Sequence, residues 1–246
     1  MISFGSDNIS GLYIGSQEVT KAYLGDALVW EKSSGTVYDY LSPYLWSDGN
    51  PYIELPILAS EVTDCIEIEF QLDEANPMQR FYAPAGGETV FQGFVSNNTR
   101  VGYTLNGAIS GNNGAQPLDT ERHTLKVDYP NRIVTLDGTK TVNIGTSTKV
   151  AETNLSLLKP FAAWPRFVGR LFAVRYWRSG VQLYDMAPAV LRRTGYLYDT
   201  ISGSLFGNVG SGSFGYGGHT FDSVGKLLID ADGKYLDVKL YNTINL

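Results

Sequence analysis

Cysteine occurs once in this chain of 246 residues, at Cys65. A single thiol excludes an intramolecular disulfide and any zinc site built on several cysteines, so the fold must hold without staples. Histidine occurs twice, at His123 and His219. Neither belongs to an HxxxH or HxxE arrangement and no Gly-x-Ser-x-Gly elbow accompanies them, so neither a metal centre nor an activated nucleophile is outlined. Only 18% of residues are charged, the net charge is −6 and Arg192-Arg193 is the only adjacent basic pair. Phosphate binding needs a concentrated cationic face, so nucleic acid is excluded as a partner. No apolar run approaches the ~20 residues that span a bilayer, which argues against membrane insertion. The first ten residues, MISFGSDNIS, lack a basic region followed by an apolar one, so no secretory signal is read and synthesis in a cytoplasm is expected.

What the chain does contain is the composition of a folded β protein. Hydrophobic residues make up 43%, with 27 glycines and 16 tyrosines, the balance expected where many short strands meet at tight turns. Apolar alternation bounded by turn residues marks strands at 52–55, 64–72, 79–82, 89–95, 100–105, 123–128, 132–136, 140–144, 166–177 and 182–186. The sharpest pattern is Arg132 to Val142, where alternating residues flank Asp137-Gly138, a pair that accepts the positive φ of a hairpin turn. Residues 32–217 carry no sustained 3.6-residue apolar stripe, and Pro188 to Arg193 makes one helical turn at most. Gly207 to Gly218 precedes no helix and is a poor phosphate cradle. No cofactor is expected.

The chain is organised around residues 169–217. Alternation places Phe172, Val174 and Tyr176 on one strand face and Leu171, Ala173, Arg175 and Trp177 on the other. Arg178-Ser179-Gly180 supplies a turn, Val181 to Tyr184 completes a hairpin, and Met186-Ala187-Pro188 is expected to end the pairing because proline has no ladder donor. A knot of turns follows. Upstream, residues 9–31 hold three short strands, Leu12 to Ile14, Val19 to Leu24 and Ala27 to Trp30, read as a β-meander. Residues 32–37 form a short polar linker. Beyond Gly218, Lys226 to Leu240 contains a second Asp-Gly hairpin. The predicted organisation is an N-terminal β module at 1–32, a sandwich at 33–218 and a C-terminal hairpin extension at 219–246.

Gly195-Tyr196-Leu197-Tyr198-Asp199, Ser202-Gly203, Leu205-Phe206-Gly207-Asn208 and Gly210 come in a fixed order after the hairpin and its proline. That order resembles the closing segment of concanavalin A-like (laminin-G-like) sandwich domains in structural proteins of phages and prophages of gut bacteria. Tyr44 to Ile53 and Ile66 to Leu72 look like the group's first two strands, so the resemblance covers roughly residues 38–217. Gly11 to Glu31, GLYIGSQEVTKAYLGDALVWE, is similar to a short module at the N-terminal ends of phage tail and other virion-associated proteins. The resemblance implies an all-β jelly-roll sandwich of concanavalin A/laminin-G type, with the small N-terminal β-meander and the C-terminal β-hairpin. It further implies a non-enzymatic virion-associated structural protein (head-fibre, decoration or tail-associated). The N-terminal module would dock to other virion proteins while the sandwich faces outward, and release by lysis would reconcile a virion location with the missing signal. A free lectin-like module that binds cell-surface glycans is the alternative. A homo-oligomer is expected, because virion appendages match local symmetry axes and multivalency turns weak contacts into avidity.

Some concanavalin A-like enzymes are glycosidases with an E-x-D-x-x-E strand, whose alternation aims three carboxylates into one cleft. Here Glu67-Ile68-Glu69 is followed by Phe70, Gln71 and Leu72, so the central aspartate and the third carboxylate are missing. Glu67 and Glu69 are assigned to a solvated strand face, and no catalytic residue is assigned. Asp230-Ala231-Asp232-Gly233 fails the EF-hand spacing, with Leu228 and Lys239 where carboxylates are needed, and reads as a turn. No metal ligand is assigned, and Cys65 is read as a small buried hydrophobe. Aromatic residues supply the candidate ligand platforms: Trp164 first, in the loop Trp164-Pro165-Arg166, together with Arg166, Trp46 and Trp177, and then Tyr82 and Phe91.

Overall fold

The computed structural model describes residues 12–14, 17–19, 21–24, 27–31, 37–75, 79–86, 89–95, 101–105, 108–111, 118–144, 146–159, 166–219 and 237–238. It separates two compact units, Met1–Val37 and Tyr38–Leu246. In the first, β1 (Leu12–Ile14) pairs with β2 (Gln17–Val19), and β3 (Lys21–Leu24) pairs with β4 (Ala27–Glu31). These are separate two-stranded sheets, not the single three-stranded meander expected from the sequence. Val19 closes the first ladder against Leu12 and Lys21 opens the second against Glu31, so the run read as one strand divides between two local hairpins. Short loops close at the least entropic cost, which favours such local pairing.

The second unit contains β5 (Tyr40–Leu41), β6 (Leu45–Ser47), β7 (Ile53–Ser60), β8 (Asp64–Leu72), β9 (Arg80–Pro84), β10 (Gly93–Val95), β11 (Val101–Leu105), β12 (Ala108–Gly111), β13 (Arg122–Asp128), β14 (Ile133–Leu136), β15 (Thr139–Asn143), β16 (Val150–Leu157), β17 (Gly169–Arg178), β18 (Val181–Leu191), β19 (Thr194–Asp199), β20 (Leu205–Phe206), β21 (Gly215–Tyr216), β22 (Gly218–His219) and β23 (Asp237–Val238). One sheet runs β12-β11-β10-β9-β16-β7. The larger runs β15-β14-β13-β8-β17-β18-β19-β20, with β5 on β18 and with β6 bridging β17 and β21. The ladders between described strands are antiparallel. Ile53, Leu55, Phe81, Tyr82, Leu155 and Leu157 of the smaller sheet share one core with Ile66, Ile68, Phe70, Leu125, Val127, Val174 and Tyr176 of the larger. The unit is an all-β sandwich of two antiparallel sheets. Of the C-terminal hairpin expected after residue 218, Asp232-Gly233 lies outside the described residues, while Gly218 pairs with Val238.

The Asp137-Gly138 hairpin forms as the sequence indicates, with φ of 51° and 74° at the two turn residues and Leu136 paired with Thr139. On β8 the alternation also holds: Ile66, Ile68 and Phe70 are buried, and Glu67 and Glu69 are partly exposed. On β17 it does not. The register against β8 shifts between Leu171 and Ala173, a bulge that leaves Phe172 as an extra residue and turns the strand by one position. Leu171 is therefore buried and Phe172 partly exposed, while Val174 and Tyr176 lie in the core.

Pro188 does not end the pairing as expected, and residues 188–191 are strand, not a helical turn. β18 runs on to Leu191, paired with β19, because Pro188 falls between its ladder with β17, which ends at Met186, and its ladder with β5, which starts at Ala189. No ladder donor is needed at that position. β16 escaped the pattern reading because two register irregularities against β7 break its alternation. The closing segment is also more strand than turn. Asp199 is fully buried and accepts the backbone N–H groups of Asp185 (2.8 Å) and Ser202 (2.9 Å). Asn208 accepts from Tyr52 (3.0 Å) and Gly210 (2.7 Å) and donates to the Gly212 carbonyl (2.9 Å).

Two buried carboxylates flank the turn between β7 and β8. Glu61 accepts from Phe91 N–H (2.8 Å) and from the hydroxyls of Thr104 (3.1 Å) and Ser147 (2.6 Å). Asp64 accepts from Ser60 N–H (2.8 Å), Thr63 Oγ1 (2.8 Å), the Tyr176 hydroxyl, and Arg178 Nε (2.9 Å) and Nη2 (2.8 Å). Burial alone would raise the Asp64 carboxyl, but the bonds from Arg178, Tyr176, Thr63 and Ser60 outweigh it and hold it below the ordinary aspartate value. A depressed acid contributes stability above its unfolded value, about 3.9, and that contribution disappears as pH falls through the lower folded value. Asp64→Asn should cost about 2 kcal/mol at pH 7, kept modest because the Arg178 side chain is 39% exposed and water replaces part of what it loses. Thermal melts from pH 7 to pH 2 should show the gap to the native chain narrowing below about pH 4; a gap that is constant with pH would refute this role for Asp64.

Candidate functional site

Three adjacent strands of the larger sheet build the candidate site at one end of its outer face. Trp177 on β17 lies directly opposite Cys65 on β8, which lies opposite Asp128 on β13. Residues directly opposite in a ladder share a face, so all three point away from the core. The next row carries Arg175, Glu67 and Lys126 in the same order. The turns at 63, 130–131 and 180 close around this corner to leave a cleft of ≈ 200 Å³, lined by Trp177, Lys126, Asp128, Asn131, Thr63 and Cys65 among others. Ser179 N–H donates to the Thr63 carbonyl (2.8 Å), which fastens two of those turns together. Ser179 and Gly180 both have positive φ, 51° and 80°, the geometry of a tight hairpin turn that follows the twist of its strands.

Neighbours on both sides orient the indole. Tyr176 and Arg178 point inward to Asp64, so alternation sends Trp177 outward between them. Lys126 Nζ lies 4.8 Å from the indole ring centroid, within cation–π range. The Asp128 carboxylate is engaged by Asn131, through its backbone N–H (3.0 Å) and its side-chain amide (2.9 Å). Beneath them Cys65 is buried, as expected, and burial followed by the charge of Asp128 pushes its thiol up to about 12.

The other predicted platforms do not join this cleft. Trp164 lies outside the described residues. Arg166 is exposed and hydrogen-bonds the Asn50 side chain. Trp46 pairs with Arg170 and Gly215, and its indole N–H donates to Asp73 Oδ2 (2.8 Å). Trp177 lies seven steps along the strand from Arg170, about 23 Å at the usual rise, so Trp46 and Trp177 cannot serve one small ligand. Tyr82 and Phe91 are 1% and 0% exposed and pack ring to ring at 5.5 Å in the core, so neither can be a platform. Sequence reasoning missed Lys126, Asp128 and Asn131 because strand pairing alone brings them beside Trp177. It also missed the ring contacts of His123, whose Nδ1 is 2.8 Å from Asp137 and whose Nε2 is 3.1 Å from Asp119. Among the described residues, no group of three or more His, Cys, Asp or Glu side chains could hold a metal ion, and no helix is long and apolar enough to cross a membrane.

Comparison with known proteins bears on the fold. No protein-family model matches the chain and no curated protein matches it, whereas nine chains of solved structures do. One is a candidate carbohydrate binding protein from Bacteroides ovatus, with a TM-score of 0.51 at 12% identity over 72% of this chain. The match spans 60% of that protein's length. At that identity the likeness establishes the β-sandwich class alone.

The buried position of Cys65 gives a direct check. A thiol held near pKa 12 is about one part in 10⁴ thiolate at pH 8, so Cys65 should react with an aromatic disulfide reagent more than ~100-fold slower in the folded protein than in denaturant. Equal rates would show that the cleft floor is open.

Proposed function

We propose that this protein is a non-enzymatic carbohydrate-binding module of concanavalin A-like type, with Trp177 as its stacking platform. The observation that carries the reading is the Trp177 cleft itself: an oriented indole with polar side chains at its edge, held by turns at the end of a rigid sandwich. An indole face receives the C–H face of a sugar ring while neighbouring amide and charged groups take its hydroxyls. The volume, ≈ 200 Å³, is below the ~300–1,000 Å³ of pockets for drug-sized ligands and suits about one ring. The fold shared with a candidate carbohydrate binding protein supports the same reading. Glu67 and Glu69 do not form a free catalytic pair, since Glu67 bonds Arg175 (2.6 Å) and Glu69 bonds Arg122 (2.6 Å). Titration calorimetry against a panel of bacterial and plant oligosaccharides should find millimolar to micromolar binding that Trp177→Ala weakens at least ~10-fold, whereas Trp46→Ala leaves it unchanged. Binding lost with Trp46 and retained without Trp177 would move the site.

A second reading keeps the sandwich as the outward part of a virion-associated protein that docks through the N-terminal module to other virion proteins and assembles as a homo-oligomer. What favours it is the sequence of residues 11–31 and their place in a compact unit of their own. On this reading, light scattering should find a defined oligomer for the full chain and a folded monomer for a version lacking residues 1–37. Monomers in both cases would exclude self-assembly through the module.

A further inference from the structure

The charges around the cleft divide unevenly once their partners are traced. Glu67, opposite Lys126 across the β8–β13 ladder, is bonded by Arg175 Nη1 at 2.6 Å, and Arg175 Nε also lies 3.3 Å from Asp185. Asp128 is bonded twice by Asn131. Asp64, behind the sheet, is enclosed by Arg178, Tyr176, Thr63 and Ser60. Lys126 makes no ion pair among the described residues, and its ammonium is placed over the face of Trp177. Among the described residues the cleft thus presents one cation without an ion pair, lying over the ring on which a sugar would stack, with the Asp128 carboxylate held to one side by the neutral groups of Asn131.

This charge pattern narrows the ligand. A neutral sugar entering over the indole would displace the ammonium from the ring and give it no counter-charge, losing the cation–π contact. A sugar bearing a carboxylate or a sulfate would give the same ammonium a charge-assisted hydrogen bond while its ring lies on the indole. Resting on the carbohydrate-binding reading above, we propose that the Trp177 cleft selects an anionic saccharide, a uronic acid or a sulfated sugar, whose acidic group is bound by Lys126. The chain's overall negative charge then weakens long-range attraction, so selectivity comes from this contact at short range.

The test uses the full chain and three probes measured by calorimetry: an oligogalacturonate, a sulfated galactan oligosaccharide, and a neutral galactan oligosaccharide of similar length. One of the anionic probes should bind at least ~10-fold tighter than the neutral one, and which of them does so separates carboxylate from sulfate recognition. Lys126→Gln should remove most of that preference, Lys126→Arg should retain it, and raising the salt from 50 to 500 mM should reduce it. Should the neutral probe bind as tightly as both anionic ones through Trp177, with Lys126→Gln without effect, the anionic preference is overturned and the carbohydrate-binding reading stands. If no oligosaccharide binds while circular dichroism shows the native fold, both fall together.

Discussion

Asp64 is the group on which the rest of this sandwich depends. A fully buried carboxylate is tolerated only when its lone pairs are met, and five donor groups from two stretches of chain meet these: Ser60 and Thr63 in its own turn, Tyr176 and Arg178 on β17. The arrangement pins the turn between β7 and β8, strands that belong to opposite sheets, to the last residues of the strand at the centre of the larger sheet. Arg178 adds a bond from Nη2 to the Leu58 carbonyl on β7 (2.7 Å). One carboxylate therefore ties the two sheets at the end where the cleft lies. The charge pair also holds the Arg178 guanidinium above its ordinary value, with the Asp64 hydrogen bond as the leading cause.

The cleft inherits its rigidity from that anchor. Trp177 stands between two residues that Asp64 holds from the other side of the sheet, and side chains alternate along a strand, so the indole has one direction open to it. Asp128 and Lys126 are aligned by the register of β13 on β8, and the bonds to Asn131 hold the Asp128 carboxylate at the turn. Preorganisation of this kind lowers the entropic cost of ordering a binding site when ligand arrives. At the opposite end of β17 the outer face is also occupied by aromatic and cationic side chains, with Arg122 over Phe172 (4.0 Å) and Arg170 near Tyr44 (5.2 Å). Those guanidiniums are engaged with Glu69 and Gln71, which separates them from Lys126 in what they can offer a ligand.

The closing segment, whose residue order suggested the fold class, owes its letters to backbone accounting. Asp199 and Asn208 are short polar side chains that satisfy N–H and C=O groups which no ladder reaches. Asp199 serves the 199–203 turn and β18 together, and Asn208 joins the start of β7 to the 208–212 loop. Such motifs report on how a sandwich is closed. Their chemistry is spent on backbone groups, so they say nothing of what the sandwich binds.

Much of the fold was legible in local patterns. β8 and the Asp137-Gly138 hairpin follow from two-residue periodicity and from a dipeptide whose φ values suit the turn, and Cys65 is buried as its reading as a small hydrophobe expects, beneath the outer face of the sheet. Where local pattern failed, a neighbour was the cause: the bulge at Phe172 reverses the face of β17 because β8 imposes its register, Pro188 is admitted because two ladders leave a gap there, and β16 is irregular because of its pairing with β7. The site was less legible still. Trp177 could be named as an aromatic, but composition cannot distinguish it from Tyr82 and Phe91, which the core absorbed. The sequence by itself determined that this is a β-rich chain with no intramolecular disulfide, no dense basic patch and a recognisable closing motif, because those are properties of residue identity and short spacing. Only the tertiary structure decided that Trp177, Lys126 and Asp128 share a corner, since residues 49 to 51 positions apart meet only through the long-range register of three strands.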